Sequence, residues 1–157
     1  MGLNGADNLK QIMRLIARYK ELSAGERRLF VRALILVLAV RVALWTLPFR
    51  IIRTWVDRLR KPAGPWRDLE RRHIRQVAWA VEAASRRVPG ATCLTQGMAV
   101  QVLLGRLGQH SELRLGVARK PNGEFSAHAW VEAQGRVVNG GAIEEFKSFV
   151  RLEERSS

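Results

Sequence analysis

Cysteine is the scarcest informative residue in this chain of 157: there is one, Cys93. A disulfide within the chain is therefore excluded, and so is a zinc site built on several cysteines. A lone cysteine beside three histidines fits a reducing compartment such as the cytoplasm and leaves room for a reactive thiol. Negative charge is scarce too, with 14 Asp+Glu against 27 Lys+Arg and a formal net charge of +13. No Asp follows Asp68. Met1 to Asp7 is polar and lacks a basic segment running into an apolar one, so no secretory signal is visible. Internal repeats and low-complexity stretches are missing. The 47% apolar content is that of a folded chain, and the length suffices for a core of its own.

The positive charge is uneven. Residues 1–90 carry 19 Lys+Arg and 7 Asp+Glu, whereas residues 91–157 carry 8 and 7. A basic half can meet nucleic acid, anionic lipid or an acidic protein, or it can be a solvated arginine-rich surface. No familiar nucleic-acid motif is present, which argues against nucleic acid. The nearest approach to a membrane span is Leu29 to Phe49, interrupted by Arg32 and Arg41. A span needs roughly 20 mostly apolar residues, and a central Arg costs about 2.5–3.5 kcal/mol on insertion scales. The run reads as a buried helix, with membrane contact as the alternative.

Hydrophobic spacing divides the chain into helices first and strands after, an α+β order. Leu9, Ile12, Met13, Leu15, Ile16 and Tyr19 mark one face of a helix over Asn8–Leu22. Ser23 followed by Glu26 is a capping-box pattern, so a second helix starts near Ala24 and runs to about Leu47, where Pro48 ends it. Phe49 to Leu59 is a short amphipathic helix. Lys61 to Trp66 is a break rich in Pro and Gly. Asp68–Val88 and Ala91–Leu107 are further helices. Period two then takes over. Leu113–Val117 is a strand, Pro121–Glu124 a turn around Asn-Gly, Phe125–Ala133 the returning strand and Arg136–Asn139 a third. Phe146–Leu152 fits a short strand or a helix. The break suggests a helical region over 1–60 and a core over 66–157, within one continuous fold.

Cys93 falls at a predicted helix start. The unpaired N–H groups and partial positive charge there favour a thiolate and can hold an oxyanion. The plainer reading is a small buried hydrophobe. His128 heads His128-Ala-Trp-Val-Glu132 on the second strand, where it can act as base to a helix-borne thiol; the plainer reading is a packing histidine. A third group must accept the other imidazole N–H. Asn139 on the next strand is one candidate. Glu132, four residues along the strand and on the same face, is another. His73 and His110 lie in polar or loop settings without a role, and the spacing of Cys and His suits no metal. Trp130 reads as a core residue, with the substrate groove as the alternative.

Three blocks together carry a resemblance: Cys93-Leu-Thr-Gln-Gly97, Leu113-Arg-Leu-Gly-Val117 and Ala127-His-Ala-Trp-Val-Glu132. They resemble the transglutaminase-like cysteine peptidases, and within these the leader peptidases, or B proteins, of bacterial lasso-peptide maturation. The helical first half, with Leu47-Pro-Phe-Arg50, resembles the same family. The resemblance implies a Cys-bearing helix packed on a small antiparallel sheet, a Cys-His-Asp triad and no cofactor. Cys93 and His128 match the first two members. Where the pattern has its Asp, this chain has Asn139-Gly140-Gly141, so either Asn139 substitutes or the pair works without a charged orienter. The implied substrate is a ribosomally made precursor peptide, cut after its leader. The implied partners are a separate leader-recognition protein and a macrolactam-forming synthetase. The same thioester chemistry also fits an amidase or acyl-transfer relative, and the basic half alone fits a non-enzymatic module on nucleic acid or membrane.

Overall fold

The computed structural model describes residues 23–62, 64–119, 125–141 and 147–151. The helix expected over Asn8–Leu22 and the turn over Pro121–Glu124 lie outside them. Helix α1 (Ala24–Thr46) begins where the capping pattern predicts. The Glu26 N–H donates to Ser23 Oγ at 3.2 Å, and the Ser23 N–H donates to Glu26 Oε2 at 2.8 Å. The Ser23 backbone N–H, and after it the Ser23 hydroxyl, hold the Glu26 carboxyl below the ordinary carboxylate range. The cap therefore contributes at neutral pH and is lost as pH falls through the lowered pKa. Pro48 ends α1 and caps α2 (Phe49–Leu59).

Helix α3 (Arg71–Ser85) is shorter than the periodicity suggests. Past Ser85 the Arg87 and Val88 N–H groups bond the carbonyls three residues back, Ala84 and Ser85, so the chain tightens into a turn before Pro89. Helix α4 (Cys93–Arg106) completes the helices among the described residues. Strands β1 (Glu112–Arg119), β2 (Phe125–Ala133), β3 (Arg136–Asn139) and β4 (Lys147–Arg151) form one antiparallel sheet in the order β3-β2-β1-β4. The β2–β3 turn has positive φ at both Gln134 (51°) and Gly135 (68°), which matches the right-handed twist of a tight hairpin. The final segment, ambiguous by pattern, is a strand because the open edge of β1 supplies its hydrogen-bond partners.

The architecture is the expected α+β, with the Cys-bearing helix α4 packed between the sheet and the other helices. One apolar cluster joins Val37 of α1, Val77 and Val81 of α3, Met98 and Leu104 of α4, Leu113 of β1 and Val131 of β2. Where α4 passes the end of α2, a Cβ on Gly105 would stand 2.1 Å from the Arg60 carbonyl oxygen. Backbone cannot yield there as a flexible side chain does. Gly105→Ala is expected to lose about 1–3 kcal/mol of stability in a urea melt, by overpacking.

The run over Leu29–Phe49 is helical but is not the buried helix its composition suggests. Only Phe30, Ala33, Val37 and Val40 of α1 are buried. The core lies on one side of the helix, against α3 and α4, and one face suffices to cover it. The opposite face stays apolar and exposed. Among the described residues, α1 is the one helix long and apolar enough to cross a membrane by length and composition.

Candidate active site

Cys93 is the first residue of α4 and is half-buried. Thr92 caps the helix: its hydroxyl accepts from the Thr95 N–H at 3.3 Å, and its carbonyl accepts from the Gln96 N–H at 3.0 Å. The Cys93 and Leu94 N–H groups precede the first intrahelical bond, so the positive end of α4 stands at the thiol.

His128 lies near the start of β2 and faces Gly116 across the β1 pairing, a neighbour that adds no side chain beside the imidazole. Its Nε2 is hydrogen-bonded to the Gly140 carbonyl. A carbonyl can only accept, so Nε2 carries the proton and Nδ1 is the basic nitrogen of the neutral ring. The contact fixes both tautomer and ring orientation. It depends on glycine: Gly140 has φ +113°, and a Cβ there would lie 2.4 Å from Trp130 Cβ and 2.8 Å from Trp130 Cα.

Asn139 ends β3, paired with Val131 of β2. Its Oδ1 is buried and meets no hydrogen-bond donor among the described residues. Cys93, His128, Asn139 and Gly140 line one cleft of about 470 Å³, together with Gln96 one turn along α4, Ala78 and Glu82 from one face of α3 and Arg86 just past its end. A thiol on a helix N-terminus, a tautomer-fixed imidazole on a strand and the backbone carbonyl that follows β3 therefore share one pocket.

That order of elements has a counterpart among known families. The profile of the Transglutaminase-like superfamily matches residues 34–154, from within α1 to beyond β4. The chain belongs to this superfamily. No curated protein and no solved structure gives a significant match. A transglutaminase-like domain is compatible with a cysteine peptidase or with acyl transfer. Both begin with a thiolate attacking an acyl carbon, and they differ in whether water or an amine resolves the thioester.

In this transglutaminase-like domain Glu132 is engaged away from the imidazole. Its Oε1 accepts from Trp130 Nε1 at 2.9 Å, and its Oε2 pairs with Arg114 Nε at 2.8 Å. Arg114 also pairs with Glu112, which faces Glu132 across the β1–β2 register. The guanidinium thus neutralises two carboxylates that would otherwise repel. Four residues of strand put Glu132 about 13 Å from His128, beyond reach of its ring. Trp130 is 2% exposed and stacks beside His128, with ring centroids 6.5 Å apart. It backs the imidazole and does not line the cleft. His73 is exposed on α3, and His110 meets the edge of the Trp66 ring at 5.5 Å. No group of three or more His, Cys, Asp or Glu able to hold a metal ion occurs among the described residues.

Sequence pattern missed two contributions. The Gly140 carbonyl is a backbone group, and its only trace is the Gly140-Gly141 pair after the last strand of the motif. The wall of Ala78 and Glu82 on α3 and Arg86 just past its end repeats every four residues, but the helix carries no marker of which face meets the cleft.

Proposed function

We propose that this protein is a cytoplasmic cysteine peptidase that removes the leader from a lasso-type precursor peptide. The observation that carries the catalytic part is the shared cleft of Cys93 and His128, with Nε2 held by the Gly140 carbonyl. In this reading Cys93 Sγ gives its proton to His128 Nδ1 and attacks the scissile carbonyl. The Cys93 and Leu94 N–H groups receive the oxyanion. The imidazolium returns its proton to the leaving amine, and water activated by the same nitrogen resolves the thioester. The Gly140 carbonyl takes the imidazole N–H that a third member would accept, and Asn139, the neutral residue at the acid position of the resemblance, lines the same cleft with its Oδ1 buried and without a donor among the described residues. The choice of a lasso-type precursor, a separate leader-recognition protein and a neighbouring macrolactam synthetase rests on the resemblance of the Cys93, Leu113 and Ala127 blocks.

Acyl transfer is the second reading, since an amine can capture the same thioester. Product mass separates the two. Incubation of a lasso-type precursor with the protein and its recognition partner is expected to yield free leader acid and core peptide. With hydroxylamine present, part of the leader is expected as the hydroxamate. An amide-linked product without free acid would assign the protein to acyl transfer. Absence of both from the native protein, with precursor intact, would remove the thioester chemistry altogether.

A further inference from the structure

The outer face of α1 is used by nothing described so far. Val31, Ile35, Leu38, Val42 and Trp45 are spaced four, three, four and three residues apart, so they form one line along the helix, roughly 21 Å long. All five are exposed, from 40% at Val31 to 79% at Trp45. Arginines border the line. Arg27 and Arg28 stand at its N-terminal end, and Arg32 and Arg41 lie on its two flanks, with Arg41 reaching over the Trp45 ring at 5.2 Å. The next helix, α2, continues in kind, with exposed Phe49, Ile51, Trp55 and Leu59 beside Arg50 and Arg58.

We infer that this face docks the protein on the surface of an anionic lipid bilayer, with α1 lying in the plane of the headgroups. The charge decides the occupant. A line of apolar side chains with Trp at its end and Arg along its borders suits the boundary between acyl chains and phosphate headgroups. A second copy on the same face would bring the arginines of two α1 helices together. The one carboxylate of α1, Glu26, is already bonded to Ser23. The buried face decides the orientation. Phe30, Ala33, Val37 and Val40 pack against α3 and α4, so a spanning α1 would have to abandon the core. The helix lies on the membrane and does not cross it. Such docking would set the cleft of Cys93 near a membrane and bring its peptide substrate to a surface.

The test is co-sedimentation of the full chain with vesicles of phosphatidylcholine alone and of phosphatidylcholine mixed with phosphatidylglycerol. The protein is expected to bind the mixed vesicles, to bind the neutral ones weakly, and to release as salt is raised. Ile35→Ser with Leu38→Ser is expected to weaken binding to mixed vesicles at least about tenfold, through lost apolar burial. Arg27→Gln with Arg28→Gln is expected to weaken it by about fivefold per arginine. All four side chains are exposed, so circular dichroism and the melting midpoint are expected to stay unchanged. Failure to bind mixed vesicles would overturn the inference. So would binding that both double variants leave unaltered, or a dimer in solution that the Ile35→Ser/Leu38→Ser variant dissolves while vesicles bind neither form.

Discussion

Replacing His128 with alanine is expected to lower turnover about 10⁴-fold or more while leaving the melting midpoint near that of the native protein. Cys93→Ala is expected to abolish it. The two residues act as one unit in this account: the thiol is a poor nucleophile without a base, and the imidazole has no other proton to move. The double variant should therefore lose no more than the worse single one. Independent, additive losses would mean that Cys93 and His128 serve separate steps. Stability should barely respond, because both side chains are only half-buried and the apolar cluster beneath them is unchanged. The check is single-substrate kinetics on a leader-bearing peptide, read beside a thermal melt of each variant.

Gly140→Val carries the second-largest expected effect, and it acts without removing any functional side chain. The added Cβ would lie 3.0 Å from the Ala129 carbonyl as well as against Trp130, so the segment after β3 must move. Its carbonyl then leaves His128 Nε2, and the ring loses the contact that fixes its tautomer. A displacement of about 1 Å at a positioning group costs on the order of 10²-fold in rate, and that loss in kcat is the expected result. Gly135→Ala provides the control. Gly135 also has positive φ, at 68°, but lies at the β2–β3 turn with nothing within 4 Å of an added Cβ. It should show the backbone strain alone, about 1–2 kcal/mol of stability, with turnover retained. If Gly140→Val kept full activity, the Gly140 carbonyl would not be what orients the imidazole.

The difference between His128 and Gly140 also explains what could be read from the chain before its fold was known. Cys93 was legible as a helix start because Thr92 is a good cap and Pro89-Gly90 precedes it. The neighbourhood of His128 and Asn139 was legible because alternation fixes each strand and the Gln134-Gly135 turn joins them directly. A backbone carbonyl has no sequence signature, so the group that holds the ring was not. The exposure of α1 was hidden for a related reason. A helix apolar on nearly every face gives no clue to which side the core takes, and composition alone reads it as wholly buried. The pairing of β4 with β1 was hidden because it depends on which sheet edge stays open, a long-range matter that period two cannot report. The Glu132 alternative was legible as a same-face carboxylate. What the pattern could not show is its pairing with Arg114 on the neighbouring strand, which only the β1–β2 register brings beside it.

The central claim is that His128 activates the Cys93 thiol, and it can be tested without any substrate. The rate of alkylation of Cys93 by iodoacetamide at neutral pH reports how much of the thiol is thiolate and how accessible it is. Because Cys93 is the one cysteine of the chain, the signal is unambiguous. The account predicts that His128→Ala slows alkylation about tenfold or more, with the folded state intact by circular dichroism. Equal rates in the native protein and the variant would contradict it, leaving a cysteine at a helix start and a histidine on a strand that share a cleft but no chemistry.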